Sequence, residues 1–364
     1  MRIGSTHYRS IWIEEDPGVI KVIDQRKLPF QFEILELTSI EDTFMAIRDM
    51  AVRGAPLIGV TAAFGLYLAA LGSHPGSWRR EVEEAGKKLL STRPTAVNLK
   101  YALSLGLAEL NCSASREGTI DRLFHLAVRL AENEVIRCIR IGEHGIGLIR
   151  EHYEQKKKTV NILTHCNAGW LACVDYGTAT APIYLAHDEG IPVHVWVDET
   201  RPRNQGARLT AFELGEHGVP HTVITDNTGG HLMQNGLVDM VLVGSDRTTR
   251  TGDVANKIGT YLKALAAREN NIPFYVALPT SSIDMDLDQG GDIEIEFRDT
   301  DEVIYVEGWN EEKKKIDRVR IAPEKTATAN PGFDITPARF VTGLITEKGI
   351  CPATEKGILS LSGM

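Results

Sequence analysis

The chain has 364 residues, of which 43% are hydrophobic and 24% are charged. These values are typical of a soluble globular protein that is long enough for two domains. Forty basic and 49 acidic residues give a formal net charge of −9, which argues against nucleic-acid binding because that role usually needs a basic face. The five scattered cysteines show no paired C-x-x-C spacing, so we expect no disulfide scaffold or zinc ribbon and predict a cytoplasmic protein. No signal peptide is recognisable, and we expect no segment to span a membrane.

The N-terminal part is predicted to be mostly helical after an opening β-hairpin. Apolar residues in 8–13 and 19–23 flank the turn signal Asp16-Pro17-Gly18, which indicates the hairpin. Ser39 with Asp42 resembles a capping box and predicts the first helix. Further helical patterns cover residues 57–71, 78–90, 97–110 and 120–150. We expect the last of these to be broken near Gly142 or Gly145.

Two arginines lie at breaks between the predicted helices. Arg53 precedes Gly54-Ala55-Pro56, whose small residues would let a ligand approach the backbone. A solvated surface cation is an equally good interpretation of Arg53 on local grounds. Arg93 lies beside Pro94 in a short loop and has no more specific signal of its own.

Five short apolar runs recur from residue 159 onward, separated by helical or small-residue segments. They cover residues 160–163, 193–197, 222–225, 240–243 and 274–278. This pattern predicts a parallel sheet with crossover helices, and such sheets bind ligands outside the carboxyl ends of their strands. An acid, a thiol or an amide follows four of the runs, in His165-Cys166-Asn167, Asp198-Glu199, Asp226-Asn227 and Gly244-Ser245-Asp246. We therefore predict that these strand ends form the rim of an active site.

Cys166 is the first candidate catalytic residue. The run 160–163 would deliver it to the end of a strand, and we expect 167–169 to turn into a helix whose free N–H groups stabilise a thiolate. A lone cysteine is more often a buried structural residue. Core packing does not require a histidine, an asparagine and a glycine in the same turn, so we favour a reactive thiol.

Asp246 is the second candidate catalytic residue. It follows the apolar run 240–243, and partial burial there would raise its pKa so that it could exchange a proton near neutral pH. The alternative is an N-cap for the next segment. A carboxyl group and a thiol with displaced pKa values would make a proton-transfer pair.

Polar residues in two later segments could bind a sugar phosphate. Segment 252–261 precedes or opens a helix, and we expect Asn256 and Lys257 to lie near its first turn, where they could bind phosphate. This segment is not a Walker A loop, and no G-x-G-x-x-G motif follows a strand, so nicotinamide binding is not expected. In the polar segment 200–208, Gln205 beside Gly206 is a better candidate than Arg203 for binding a sugar hydroxyl.

Several long motifs together resemble the methylthioribose-1-phosphate isomerase family, which is shared with regulatory subunits of the eukaryotic translation-initiation guanine-nucleotide exchange factor. The resemblance covers nearly the whole chain. The motifs are residues 53–56, 164–169, 201–211, 252–261 and 333–337.

The resemblance implies an α/β protein and a homodimer. The N-terminal domain, residues 1–130, would be mostly helical with a small β-hairpin or sheet, and residues 131–364 would form a Rossmann-like parallel-sheet domain without a dinucleotide. Cys166 and Asp246 match the family's catalytic thiol and carboxylate. The matching substrate-binding positions are Arg53, Gly54, Ala55, Arg93, Gln205, Asn256 and Lys257. No metal or cofactor is implied.

The expected reaction is the aldose–ketose isomerisation of S-methyl-5-thio-α-D-ribose 1-phosphate to S-methyl-5-thio-D-ribulose 1-phosphate, a step of methionine salvage. Alternatives are an isomerase of 5-deoxyribose 1-phosphate or ribose 1,5-bisphosphate, or a non-catalytic regulatory or nucleotide-binding subunit. Whether Cys166 is the base or polarises the transition state is left open. The chain departs from its relatives at Thr228-Gly229-Gly230, at Ser245 and in the stretch Glu307–Arg320.

Overall fold

A computed structural model describes residues 1–93 and 96–361 of the chain. It is a mixed α/β fold in which a helical N-terminal part and a seven-stranded sheet share one long helix. The α-helices are α1 (Ile40–Arg48), α2 (Ala55–Gly72), α3 (Trp78–Leu90), α4 (Val97–Asn111), α5 (Arg116–Lys156), α6 (Ala181–Asp188), α7 (Ala211–His217), α8 (Thr228–Gln234), α9 (Thr260–Glu269), α10 (Asp301–Ile304) and α11 (Glu355–Ser360).

The strands form one large sheet and four small ones. They are β1 (Arg2–Ile3), β2 (Thr6–His7), β3 (Ile11–Ile13), β4 (Ile20–Ile23), β5 (Ile34–Leu37), β6 (Val160–Thr164), β7 (Val193–Asp198), β8 (His221–Ile224), β9 (Met240–Val243), β10 (Arg247–Thr249), β11 (Val254–Lys257), β12 (Phe274–Ala277), β13 (Ile283–Asp284), β14 (Tyr305–Asn310), β15 (Lys315–Arg320), β16 (Phe333–Thr336), β17 (Gly343–Thr346) and β18 (Gly349–Cys351).

The opening hairpin and the first helix cap are confirmed. Strands β3 and β4 pair antiparallel, and in the turn between them the Gly18 N–H donates to Asp16 Oδ1 at 2.8 Å. The Ser39 Oγ accepts from the Asp42 N–H at 3.2 Å at the start of α1. Local turn and cap chemistry was therefore sufficient to predict both elements.

Helix α2 is the centre of the N-terminal core. Every residue from Ala55 to Ala70 is buried, against α3, α4 and α5. By length and composition alone this helix could cross a membrane. However, 89% of it is buried inside the fold, which identifies it as a core helix.

The predicted break near Gly142 or Gly145 was wrong, because α5 runs without interruption for 41 residues. Both glycines serve close packing on α6. A Cβ at Gly142 would lie 3.2 Å from Ala181 Cβ, and one at Gly145 would overlap the ring of Pro182. Residue 130 lies inside α5, and the division of the chain at that point stays a prediction.

All five predicted strands are present in the large sheet, as β6, β7, β8, β9 and β12, and β17 and β18 complete it. The spatial order is β18-β17-β12-β9-β6-β7-β8, and every pair is parallel except β17 with β18. Successive strands spread to one side from β6 and then to the other side from β9. The order therefore reverses between β6 and β9, where open parallel sheets form a crevice for ligands.

Two smaller sheets form from residues for which the sequence predicted no strands. Strands β13, β10, β11 and β16 form a four-stranded sheet beyond the carboxyl end of β9. Strands β14 and β15 form a regular hairpin from Tyr305 to Arg320, which includes the stretch Glu307–Arg320 that departs from the family.

Candidate active site

A cavity of about 410 Å³, including its open mouth, lies at the point where the strand order reverses. Cys166 follows β6 and Asp246 follows β9, so the two predicted catalytic residues enter the cavity from neighbouring strands. Arg53, Asn256 and Pro279 also line it. The fold thus brings together residues that are far apart in the chain.

Cys166 is held in an unusual backbone conformation. Its φ angle is 65°, in the left-handed region that non-glycine residues rarely adopt. Its N–H donates to Thr200 Oγ1 at 2.9 Å, and its carbonyl accepts from Thr210 Oγ1 at 2.7 Å. These two hydrogen bonds hold the strained backbone of Cys166 in place. Residues held in strained backbone conformations are concentrated at functional sites.

The prediction of a helix directly after Gly169 was wrong. Only a single 3-10 turn, Trp170–Ala172, follows, and α6 does not begin until Ala181. The helix N-terminus that lines the cavity is that of α2, at Gly54 and Ala55. Gly54 has φ 93°, and a Cβ there would lie 2.5 Å from the Ala172 carbonyl oxygen, so the close approach of α2 requires glycine.

Burial raises the pKa of the Cys166 thiol, and Asp246 raises it further, while Arg53 and Lys257 lower it. The net direction is upward, so the expectation of a thiolate stabilised by a helix start was wrong. Desolvation outweighs the nearby cations because Cys166 is only 7% exposed. At rest, the protein favours a protonated thiol.

Asp246 is not an N-cap, because strand β10 and not a helix follows it. Its N–H donates to the Ala255 carbonyl at 3.0 Å, which ties it to the small sheet. Burial raises its pKa, against the opposing influence of Lys257, Arg53 and Arg93. The raised pKa agrees with the direction expected from the sequence and suits a group that exchanges a proton.

Arg53 is buried at the cavity, 8% exposed, so the surface-cation interpretation was wrong. Its Nη2 donates to the Asn167 carbonyl at 2.7 Å, and its Nη1 donates to the Asn167 side-chain oxygen. The guanidinium therefore crosses from the start of α2 to the residue after Cys166.

Segment 252–261 leads into helix α9 as expected. Lys257 and Asn256 lie on the preceding strand β11, three and four residues before the helix begins, and not in the helix itself. Lys257 is only 7% exposed, and its Nζ lies 4.7 Å from the centroid of the Phe333 ring. Within the described ranges no carboxylate lies within 4.0 Å of it. Burial lowers its pKa, while Cys166 and Asp246 raise it. Asn256 Nδ2 donates to Thr260 Oγ1 at 3.1 Å.

A second cavity, of about 490 Å³ including its mouth, adjoins the first and shares Gly54, Ala55 and Asp246 with it. Arg93 lines this cavity and forms an ion pair with Glu296 at 3.1 Å. Much of the remaining wall is apolar. Its apolar residues are Ile58, Ala96, Ala255, Ile293, Ile295 and Phe333.

Two predicted binding residues, Lys257 and Gln205, are not among the residues that line the two cavities. Gln205 precedes a π-helical turn, Gly206–Thr210, and is 4% exposed. Its side-chain oxygen has no hydrogen-bond partner among the described residues. The role of Gln205 in binding stays a prediction.

The acids at two other strand ends do not line the cavity. Asp198 Oδ2 is 2.8 Å from His165 Nδ1 and 3.1 Å from Lys263 Nζ, and His165 Nε2 donates to the Ile258 carbonyl at 2.8 Å. His165, Asp198 and Asp226 are close enough together to hold a metal ion. Because the Lys263 ammonium already lies against Asp198, we interpret the group as an internal ion cluster.

The sequence did not reveal the residues that hold Cys166 in place or form the apolar wall. Thr200 and Thr210 are single hydroxyls with no local motif. Ile293 and Ile295 come from a segment that has little regular structure, so no periodic pattern marks them. Only tertiary packing brings these residues to the site.

Comparison with known proteins identifies the family. The initiation factor 2 subunit family matches residues 51–353. The chain belongs to this family. A methylthioribose-1-phosphate isomerase from Desulfatibacillum aliphaticivorans is 57% identical over 99% of this chain and 98% of its own. The resemblance predicted from the motifs is thus confirmed.

Solved structures of the family have the same fold. The 5-methylthioribose 1-phosphate isomerase of Pyrococcus horikoshii is 38% identical, with a TM-score of 0.83 over 98% of this chain and 96% of its own. A structure titled translation initiation factor eIF-2B, subunit delta, from A. fulgidus is also 38% identical, with a TM-score of 0.80 over 98% of this chain and all of its own. Fold likeness alone therefore does not separate an isomerase from a regulatory subunit.

Proposed function

We propose that the protein is an aldose–ketose isomerase that converts S-methyl-5-thio-α-D-ribose 1-phosphate to S-methyl-5-thio-D-ribulose 1-phosphate in methionine salvage. Full-length relatives that are 52–57% identical are named methylthioribose-1-phosphate isomerase. Two proton-exchanging groups and a buried cation in one cavity support the assignment.

The observation that carries the proposal is the buried Lys257, which has no carboxylate within 4.0 Å among the described residues and lies close enough to Cys166 and Asp246 for both to raise its pKa. An ammonium group removed from water with no direct ion pair is costly, and a bound phosphate would supply a negative charge beside it. Arg53, which lines the cavity beside the N-terminus of α2, would add a second cation and free backbone N–H groups. We assign the C1 phosphate to this end of the cavity.

Asp246 and Cys166 would carry out the chemistry. The phosphate on C1 prevents ring opening through a free hemiacetal, so an acid must protonate the ring oxygen before hydrogen moves from C2 to C1. Asp246 is suited to be this acid because burial raises its pKa. Cys166 would act at C2 as a base or would polarise the transition state. The reaction is an internal rearrangement, and its balance needs no external oxidant or reductant.

The apolar second cavity would hold the substituent on C5. Asp246 lies at the junction of the two cavities, so a sugar beside it could direct its phosphate one way and its methylsulfanyl group the other. Ile293, Ile295 and Phe333 suit a methylsulfanyl group better than the second phosphate of ribose 1,5-bisphosphate, which would lose its hydration there. The methyl group of 5-deoxyribose 1-phosphate would fill less of this space.

A regulatory or nucleotide-binding subunit is the alternative function. Such a protein would have no need for a thiol and a carboxylic acid that share a cavity with a buried arginine. The order of the large sheet supports the Rossmann-like description, with Cys166 and Asp246 in place of a dinucleotide-binding loop. A homodimer in the cytoplasm remains part of the proposal, and the mass in solution by light scattering tests the dimer.

Turnover of the three candidate sugar phosphates, measured side by side on the wild-type protein, tests the proposal. We expect the methylthio substrate to have the highest kcat/KM and Cys166→Ser to lose turnover, because a hydroxyl is a far weaker acid than a thiol. Thermal unfolding of Cys166→Ser should match wild type. Near-normal activity in that variant, or no turnover of any sugar by wild type, would refute the assignment.

A further inference from the structure

A buried carboxyl group lies behind Cys166, outside both cavities. Glu213, on α7, is 1% exposed. Its Oε1 accepts from the Leu171 N–H at 2.8 Å and from Asn167 Nδ2 at 3.1 Å. Its Oε2 accepts from the Tyr184 hydroxyl at 3.1 Å. Three donors from three segments thus converge on one side chain that the sequence did not single out.

Gly169 provides the space for this carboxyl group. A Cβ at position 169 would overlap the Glu213 carboxylate, so any other residue would displace Glu213 or the backbone after Cys166. Position 169 therefore requires glycine because it leaves space for Glu213, independently of the turn conformation.

Asn167 connects Glu213 to Arg53, and its orientation is determined by its partners. The hydroxyl of Thr210 donates to the Cys166 carbonyl at 2.7 Å, so it can only accept from Asn167 Nδ2, which lies 3.2 Å away. Two acceptors, Glu213 Oε1 and Thr210 Oγ1, thus hold the NH₂ group. The side-chain oxygen must point the opposite way, toward the guanidinium of Arg53.

We propose that Glu213 is a positioning residue that acts through Asn167 to fix the orientation of Arg53 in the cavity. The link to catalysis rests on the proposed function, in which Arg53 binds the substrate phosphate. Without the carboxyl group, the Asn167 side chain could rotate and turn its NH₂ group toward the guanidinium. Donor would then face donor, and Arg53 would keep only its hydrogen bond to the Asn167 main-chain carbonyl.

The ionisation state of Glu213 does not alter this arrangement. Burial raises its pKa to about 7, so both forms are populated near neutral pH. A proton on Oε2 can be donated to the Tyr184 oxygen while Oε1 still accepts from Asn167. Glutamine offers the same pattern, with its oxygen toward Asn167 and its NH₂ toward Tyr184. Leucine offers no acceptor at all.

The first test compares Glu213→Leu with Glu213→Gln in steady-state kinetics on the methylthio substrate. We expect the leucine variant to raise KM about ten- to hundredfold, the value of one charge-assisted contact, with a smaller effect on kcat. The KM of the glutamine variant should be close to that of wild type. Tyr184→Phe is the matched control, because it removes a contact to Oε2 and leaves the one between Oε1 and Asn167. Equal losses in the glutamine and leucine variants would overturn the proposal.

A double-mutant cycle separates positioning from a general structural effect. In an Arg53→Met background, Glu213→Leu should have little further effect on KM, since the residue through which it acts is gone. Effects that multiply would overturn the proposal. If Glu213→Leu does not fold, Glu213→Ala replaces it in the cycle, because its smaller side chain leaves room for water.

A second readout needs no substrate. Arg53 lowers the pKa of the Cys166 thiol, so displacement of Arg53 should raise that pKa. The rate of Cys166 alkylation by iodoacetamide, followed by peptide mass spectrometry as a function of pH, measures it. Glu213→Leu should shift the profile to higher pH as Arg53→Met does, and an unshifted profile would overturn the proposal. If wild type turns over no sugar phosphate, the proposed function fails while this titration still decides the role of Glu213.

Discussion

Two groups of buried charges lie at the carboxyl end of the large sheet, and they differ in how they are paired. In the first, which we call the closed cluster, Asp198 Oδ2 lies 2.8 Å from His165 Nδ1 and 3.1 Å from Lys263 Nζ. In the second, the open cluster, Asp246 and Lys257 have no side-chain partner of opposite charge within 4.0 Å among the described residues. A buried charge without a partner is costly, so the open cluster is where a charged ligand would stabilise the fold.

Position at a strand end does not distinguish a structural charge from a functional one. Asp198 and Asp246 both follow or end an apolar run, and the sequence places both on the predicted rim. The two differ because Lys263, on α9, forms an ion pair with Asp198.

The largest effect is expected for Asp246→Asn in the open cluster. The amide is nearly isosteric but cannot exchange a proton, so kcat should fall about 10²- to 10⁴-fold, the usual value of general acid–base catalysis. Thermal stability should not decrease, because a buried carboxylate is replaced by a neutral group. Initial rates and thermal melts on the same preparations check both expectations, and retained activity would remove Asp246 from the chemistry.

Lys263→Met in the closed cluster should act on stability. Removal of the ammonium leaves His165 as the remaining side-chain partner of the buried Asp198 carboxylate, and breaking a buried ion pair in this way costs about 3–5 kcal/mol of unfolding free energy. The stabilisation that added phosphate produces should be unchanged relative to wild type, because Lys263 does not line the cavity. Chemical denaturation with and without phosphate measures both quantities. A smaller phosphate effect would mean that the two clusters are not separate.

Glu213 is an intermediate case, since it is buried and hydrogen-bonded but has no direct ion pair. Its folded-state pKa of about 7 is above the ordinary 4.5, so its contribution to stability is present below the unfolded value and is lost as the pH rises through about 7. The loss amounts to about 3 kcal/mol. Glu213→Gln should therefore gain stability relative to wild type across that pH range, and urea unfolding as a function of pH would show it. A difference in unfolding free energy between the variant and wild type that does not change with pH would contradict the assignment of this pKa.

Lys257→Met in the open cluster should weaken phosphate binding. Loss of one charge-assisted contact is worth about 1.5–3 kcal/mol, or roughly ten- to a hundredfold in affinity. Without ligand, the protein should be no less stable, because the desolvation of the buried ammonium outweighs its attraction to Asp246. Thermal-shift titration with inorganic phosphate measures both the stability without ligand and the affinity for phosphate. An unaltered phosphate-induced shift would place the phosphate elsewhere.

Exhaustive chelation should have the smallest effect, and we expect none on the rate. In the closed cluster, Lys263 already lies against the carboxylate of Asp198, which a metal bound by His165, Asp198 and Asp226 would need. Loss of turnover with EDTA that a divalent ion restores would assign a metal to these residues and would reverse our interpretation of the closed cluster.

The elements that local chemistry determines could be predicted from the sequence. The hairpin around Asp16-Pro17-Gly18, the Ser39 cap and the five apolar strands follow from turn residues, a side-chain cap and short-range hydrophobic patterns. The errors arose where contacts distant in sequence decide the structure. Gly142 and Gly145 read as helix breaks but allow α6 to pack closely on α5, and Lys257 read as a helix start but pairs as a strand with β16.

The sequence by itself determined which residues could be chemically reactive, because long family motifs mark Cys166 and Lys257, and a position directly after an apolar run marks Asp246. Only the tertiary structure decided their electrostatic state. Burial raises the pKa of Cys166, where a local view expected a lower one, and leaves Lys257 without a partner while Lys263 has one. The physical reason is that desolvation and charge pairing depend on which distant segments close over a residue, and no local pattern records that.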